Sequence, residues 1–152
     1  MSRSSICFIS IGSNMGNREH FIEQAFLELE LHPEISVLKE SILLETSPLE
    51  VLNQPYFLNA IAKIRTSLLP HDLLYTLQGI EQKLGRVHRF DKGPREIDLD
   101  ILTYGKLKME SDDLSVPHHS LYSRPFIKDI LVSMKEGSIY KDLEHAKYSQ
   151  SV

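Results

Sequence analysis

The hydrophobic period changes repeatedly along this chain, and the order of those changes restricts the fold more than any other feature. Ile6 to Ile11 is a short apolar run closed by Gly12-Ser13-Asn14, which reads as a buried strand and a tight turn. Asn17 stands where an N-cap is needed, with Glu19 in the first turn. Phe21, Ile22, Ala25, Phe26 and Leu29 then form one stripe of a helix over 18–31. Val37 to Thr46 reads as a strand stopped by Ser47-Pro48. Residues 56–66 alternate, with Leu58, Ala60, Ala62 and Ile64 on one face and Phe57, Asn59, Ile61, Lys63 and Arg65 on the other. Pro70 opens a second helix whose stripe is Leu73, Leu74, Leu77, Ile80 and Leu84, and Gly85 ends it. Glu96 to Tyr104 alternates strictly as a strand. After a polar loop, Phe126, Ile127, Ile130, Leu131 and Met134 mark a last helix. A polar tail runs from about Glu136.

Strand, helix, strand, strand, helix, strand is the order of an α+β, ferredoxin-like βαββαβ antiparallel sheet. The additional C-terminal helix gives it a three-layer αβα character. At 152 residues the expectation is one domain over 1–152. No apolar run is long enough to span a membrane, and the N-terminus lacks a convincing cleavage site for a signal peptide. Cys7 is the one cysteine, so an internal disulfide and a thiol metal cluster are both excluded, and a reduced, cytoplasmic setting is expected. The formal charge of −4 is opposite to that of a general nucleic-acid binder. Fold alone leaves function open.

The strongest local signal is Pro94-Arg95-Glu96-Ile97-Asp98-Leu99-Asp100-Ile101. In a strand, Asp98 and Asp100 share a face, about 6–7 Å apart. Their repulsion is about 2–3 kcal/mol at an effective dielectric near 20. Two readings fit: a divalent cation between the carboxylates of a central strand, or the solvated face of an edge strand. The preceding segment carries Lys83, Arg86, His88, Arg89, Lys92 and Arg95, and Gly93-Pro94 prevents it from forming a simple helix face. A cationic loop running into two acids suits a polyphosphate with its metal, and it also suits an ordinary basic surface loop. His118-His119 and Arg124 offer further phosphate or base contacts, or are a satisfied surface or core pair and an ordinary surface charge. Phe57 and Asn59 share a strand face, as a platform for a flat heterocycle or as core. No P-loop or dinucleotide fingerprint occurs.

Together these segments resemble 6-hydroxymethyl-7,8-dihydropterin pyrophosphokinase, a family of folate biosynthesis. The resemblance rests on Ile11-Gly12-Ser13-Asn14, Gln54-Pro55-Tyr56-Phe57-Leu58-Asn59-Ala60, Ile80-Glu81 through Gly85-Arg86, Gly93 to Ile101, Val116-Pro117-His118 and Arg124-Pro125-Phe126. It implies transfer of diphosphate from ATP to the pterin hydroxymethyl group with release of AMP. Asp98 and Asp100 are implied to hold two Mg²⁺ ions, with Arg86 and Arg95 as catalytic partners. Implied ATP contacts are Gln78, Glu81, Arg86, His88, Arg95, Ile101, His118, His119 and Arg124. Implied pterin contacts are Thr46, Ser47, Leu49, Phe57, Asn59 and Phe126. The chain departs from the family pattern at Lys92, where an aromatic is usual, and at Gly85-Arg86-Val87-His88, where a second arginine is usual. A monomer acting on small molecules, without nucleic acid or membrane, is expected.

Two other readings share the fold plan. One is a different two-metal, nucleotide-dependent enzyme. The other is an RRM-like RNA-binding module, which would need paired aromatics exposed on a basic sheet.

Overall fold

A computed structural model describes residues 3–48 and 53–146. In chain order the elements are β1 (Ser5–Ser13), α1 (Arg18–Leu31), β2 (Ile35–Glu40), β3 (Leu44–Thr46), β4 (Phe57–Thr66), α2 (Pro70–Lys83), β5 (Asp98–Tyr104), β6 (Met109–Glu110), β7 (Ser115–Val116), α3 (Ser120–Ser123), α4 (Pro125–Ser133) and α5 (Ile139–Glu144). The main sheet runs β2-β4-β1-β5, with β3 also paired to β4, and every pairing is antiparallel. This is the expected ferredoxin-like arrangement.

The alternation of β4 separates two cores. Leu58, Ala60, Ala62 and Ile64 join Cys7, Ile9 and Ile11 of β1 beneath α1 and α2, where Ile22, Ala25, Leu29, Leu73 and Leu77 are buried. Ile61, with Phe8 and Leu102, packs on the opposite face against Ile127, Ile130 and Leu131 of α4 and Leu143 of α5. The molecule is therefore three-layered. The face that an RRM-like module would offer to bases is covered here by helices.

Several elements differ from the sequence expectation. Strand β1 continues through Gly12 and Ser13 instead of turning there. The strand expected over Val37–Thr46 is two strands on one edge of β4. Between them, Ser41 keeps contact by donating its N–H to Ile61 O (2.9 Å) and accepting from Ile61 N–H at Oγ (2.7 Å). The strand expected from Glu96 begins at Asp98, and its alternation fails after Leu102. The register with β1 shifts between Phe8 and Ile9, which pair with Thr103 and Ile101, so Leu102 is the extra residue of a bulge. Leu99 and Ile101 stay in the α1–α2 core and Leu102 in the other one, as alternation requires; the bulge changes the phase after them, setting Thr103 opposite Phe8 and returning Tyr104 to the α1–α2 core.

The polar tail is also corrected. Glu136 accepts from Lys39 Nζ and from Lys63 Nζ (3.0 Å), both on the sheet, and α5 follows with Leu143 only 2% exposed. Residues 136–146 thus belong to the third layer. Within the described residues no helix is long and apolar enough to cross a membrane.

Strand β5 is an edge strand by sheet order, yet it is not a solvated one. Its outward Leu99 N–H donates to Glu81 Oε2 of α2 (2.7 Å), and its Leu102 carbonyl accepts from His118 N–H (2.8 Å). Two segments therefore cap the edge and bring their side chains to the head of β5.

Deleting the buried leucine of α5 tests the tail assignment. Leu143→Ala should lower unfolding stability by about 2–5 kcal/mol, as for other buried leucines. Urea denaturation reads this directly, and an unchanged midpoint would mean that α5 does not contribute to the core.

Candidate active site

The head of β5 gathers three carboxylates and two guanidinium groups. Arg86 Nη1 donates to Glu81 Oε2 (2.8 Å) and to Asp98 Oδ1 (3.0 Å). Arg95 Nη1 donates to Asp98 Oδ2 (3.2 Å). Asp100, one pleat further along, faces the same cleft. Burial, and then the adjacent Asp98 carboxylate, hold the Asp100 carboxyl well above the usual range. Burial likewise pushes Glu81 up to about 7, against the opposing hydrogen bond from Leu99 N–H. Negative charge is crowded here beyond what the two arginines neutralise.

A cleft of about 530 Å³ opens beside this cluster. Asp98, Asp100, Arg95, His118, His119 and Arg124 line it. So do Thr46, Ser47, Phe57, Asn59 and Phe126. Gly12 forms part of the floor, where a Cβ would sit 3.4 Å from Asn59 Oδ1 and 3.6 Å from the Phe57 ring. Asn59 Nδ2 donates to Leu44 O (3.0 Å) and Thr46 Oγ1 (2.8 Å), leaving Oδ1 as the group able to accept. The Arg95 guanidinium lies over the Phe57 ring, 5.2 Å from its centroid. The structure thus brings Phe57, Asn59 and Phe126 to one cleft. Leu49 lies outside the described residues.

A second cleft, about 570 Å³, lies on the other side of the His118 segment. Leu74, Ile101, Leu114 and Tyr122 supply apolar walls, Lys108, Ser111 and Ser115 polar ones, and Glu110, Asp112 and Asp113 add carboxylates. The two clefts share Asp100, His118 and His119. The two imidazoles are stacked, with centroids 4.4 Å apart. His118 Nδ1 accepts from Ser120 N–H (3.1 Å), so its neutral ring carries the proton on Nε2. Burial, and then His119, push the His118 pKa down to about 4, which keeps that neutral donor at ordinary pH.

Four expected nucleotide contacts line neither cleft. Arg86 borders only the small hollow inside loop 86–95 and meets the site through its hydrogen bond to Asp98. Gln78 is exposed on α2 and lines neither cleft. Glu81 is 8% exposed and is occupied by Leu99 N–H and Arg86, so it supports the site from beneath. His88 is exposed and lines only the small hollow inside loop 86–95. Arg89, the next cation of the loop, is bound to Glu96 through both carboxylate oxygens at 3.0 and 2.6 Å.

The sequence reading missed Asn14 and Gln54. Asn14 was expected in a turn; instead it is 1% exposed and hydrogen-bonded to both loops beside the cleft. A buried asparagine at the end of a strand carries no periodic signal, because its role depends on segments 40 and 81 residues away.

The donor set suits a hard divalent cation. Asp98 and Asp100 present carboxylate oxygens to one wall, and their crowded charge is what such an ion would relieve. Among the described residues no group of three or more His, Cys, Asp and Glu is arranged around a metal. Substrate oxygens or water would complete the coordination.

Comparison with known proteins bears on the fold and the family. A structure of Plasmodium falciparum HPPK-DHPS, wild type with pteroate, superposes with a TM-score of 0.66 at 16% identity, covering 88% of this chain and 39% of that one. That likeness concerns the fold. The Bacillus subtilis 2-amino-4-hydroxy-6-hydroxymethyldihydropteridine pyrophosphokinase is 41% identical over 124 residues, 82% of this chain and 74% of that protein. Folic acid synthesis protein fol1 of Pneumocystis carinii is 48% identical over 133 residues, and the mitochondrial folate synthesis bifunctional protein of Pisum sativum is 42% identical over 134. Each covers 88% of this chain, which spans only 18% and 26% of their respective lengths. Residues 8–136 match the family profile described as 7,8-dihydro-6-hydroxymethylpterin-pyrophosphokinase (HPPK), and the chain belongs to that family.

Proposed function

We propose that this chain transfers diphosphate from ATP to the hydroxymethyl oxygen of 6-hydroxymethyl-7,8-dihydropterin. The pterin hydroxyl gives up its proton as its oxygen bonds to the β-phosphorus, the bond from that phosphorus to the oxygen of the α-phosphate breaks, and AMP leaves. The observation that carries this reading is the meeting of two clefts at Asp100, His118 and His119. One has an aromatic slot suited to a pterin. The other has apolar walls suited to a nucleotide base. A triphosphate joining them would cross the head of β5.

In this reading Phe57 and Phe126 hold the two faces of the pterin, and Asn59 Oδ1 accepts from an N–H on its edge. Thr46 orients the Asn59 amide through their 2.8 Å hydrogen bond. Ser47 and Leu49 complete that end. Arg86, Arg95 and Arg124 contact phosphate oxygens, and His118 donates to them from Nε2. Ile101 packs near the base. Two Mg²⁺ ions, held by Asp98 and Asp100, would offset the triphosphate charge and align it for in-line attack. The protein then acts as a monomer on small molecules in a cytoplasmic setting.

Asp100→Asn separates function from fold. It keeps the shape and removes a carboxylate that the native site crowds, so stability should stay level or rise. Turnover should fall more than about a hundredfold, given the several kcal/mol that metal positioning supplies. AMP release in a coupled assay, beside a melting curve, reads both. Near-normal turnover would remove the metal assignment. Asp98→Asn should lose as much activity and also loosen Arg86 and Arg95.

The heterocycle slot makes a separate demand. Phe57→Ala and Asn59→Ala should each weaken pterin binding by about tenfold to a hundredfold, from lost stacking or a lost buried hydrogen bond. Affinity for ATP should change much less. Calorimetry with each ligand decides, and equal losses for both ligands would make these residues core.

His118 gives a pH test. Its folded pKa is depressed from about 6.5 in an unfolded chain to about 4. Its contribution to stability is therefore full above about 6.5 and is lost as pH falls through about 4. The ring resonances should titrate near 4, and a midpoint near 6.5 would contradict the neutral donor.

A further inference from the structure

We propose that Lys92 binds the diphosphate group that is transferred, as a cation this chain places where the family pattern has an aromatic; this rests on the functional reading above. Lys92 stands in the turn 90–93, which Gly93 N–H closes by donating to Phe90 O (2.9 Å). Its own carbonyl accepts from Gln54 Nε2 (2.9 Å), so its backbone is tied to another residue of the cleft wall. Its φ of 61° lies in the left-handed region, at the turn position where glycine or asparagine is usual. A lysine held there is strained, and strain of this kind gathers at ligand sites.

Of the cations in 86–95, Lys92 and Arg95 line the first cleft. Arg89 is bound to Glu96, and Arg86 is held by Glu81 and Asp98 outside that cleft. Lys92 shares the cleft with Asp98, Asp100, His118 and Arg124. Its charge is felt at His118, where burial and His119 depress the pKa most and Arg124 and Lys92 add to them. The ammonium therefore acts on the same space as that imidazole. It does not line the second cleft, which takes the base in the reading above. A cation on the pterin side and absent from the base side meets the phosphates that move to the pterin, not the one that stays with AMP. ATP and the pterin diphosphate both carry that group, and AMP and the free pterin do not.

Calorimetry on the full chain with Mg²⁺ compares four probes. They are α,β-methylene-ATP, whose scissile bond is blocked, AMP, 6-hydroxymethyl-7,8-dihydropterin and its diphosphate. Lys92→Asn removes the charge and keeps a residue suited to positive φ. It should bind α,β-methylene-ATP and the pterin diphosphate about fivefold more weakly, the worth of one charge-assisted contact open to solvent. That loss should shrink as salt is raised. AMP and the free pterin should bind within about twofold of native. The melting temperature should stay level or rise as the strain is relieved. Lys92→Arg keeps the charge and should bring both diphosphate-bearing probes back to within about twofold of native.

A purely structural role gives a different pattern: a lower melting temperature, all four probes weakened together, and Lys92→Arg no better than Lys92→Asn. That result overturns the proposal. So does Lys92→Asn binding all four probes as the native chain does. A loss for AMP that matches the loss for α,β-methylene-ATP overturns it too, because the ammonium would then serve the α-phosphate. In each of these cases a native chain that binds the pterin and α,β-methylene-ATP leaves the functional reading standing. A native chain that binds neither removes that reading and this proposal with it.

Discussion

Strand β5 has a neighbour on one side only, and the way its open edge is closed determines the rest of the site. A sheet edge leaves outward N–H and C=O groups that must find partners. Here the partners are the carboxylate of Glu81 for Leu99 and the N–H of His118 for Leu102. Each contact does more than satisfy the backbone. Glu81 also receives Arg86, which then reaches Asp98. The His118 contact draws the segment 117–120 across the strand and makes its stacked imidazoles the partition between two clefts. Burying a glutamate in α2 is costly, and its raised pKa reflects that cost.

The charges around that edge do not balance. Glu81, Asp98 and Asp100 face Arg86 and Arg95, and the acid without an arginine, Asp100, has its proton affinity raised. Such crowding is unusual in a region selected for stability and usual where charge must be supplied to a ligand. It separates the two readings of the Asp-x-Asp pair. A solvated edge would have left both carboxylates in water, but the capping segments keep this pair half-buried in a cleft.

Much of this was legible in the sequence because it follows from local periods. Alternation at 56–66 identified both faces of β4 and put Phe57 and Asn59 together. The stripes of α1 and α2 and their terminal Asn17, Pro70 and Gly85 set the helix bounds. The illegible parts depend on partners distant in the chain. The bulge at Leu102 answers the register of β1, so a strictly alternating pattern could not reveal it. The segment after Glu136 looks polar because its surface is. Its attachment rests on Glu136 meeting two lysines of the sheet and on the buried Leu143. Glu81 sits in the apolar stripe of α2 one residue after Ile80, and only the edge of β5 explains a carboxylate there.

The basic loop shows how composition misleads about which charges are available. Arg89 and Glu96 close its base, and Val87 N–H adds a third bond to the same carboxylate at 3.2 Å. With the Arg89 hydrogen bond as the first cause, Glu96 is held down at about 2. This pair supports the loop fully above about pH 4.5, the ordinary glutamate range. That support is lost only as the pH falls through about 2. Arg89 is therefore a structural cation. The two arginines on Asp98 stand at the ends of the loop, Arg86 on Oδ1 and Arg95 on Oδ2, and of the two Arg95 lines the cleft. One carboxylate thus fastens both ends. The position of the loop and the charge on Asp98 become a single variable, since whatever neutralises that carboxylate loosens both guanidinium groups at once.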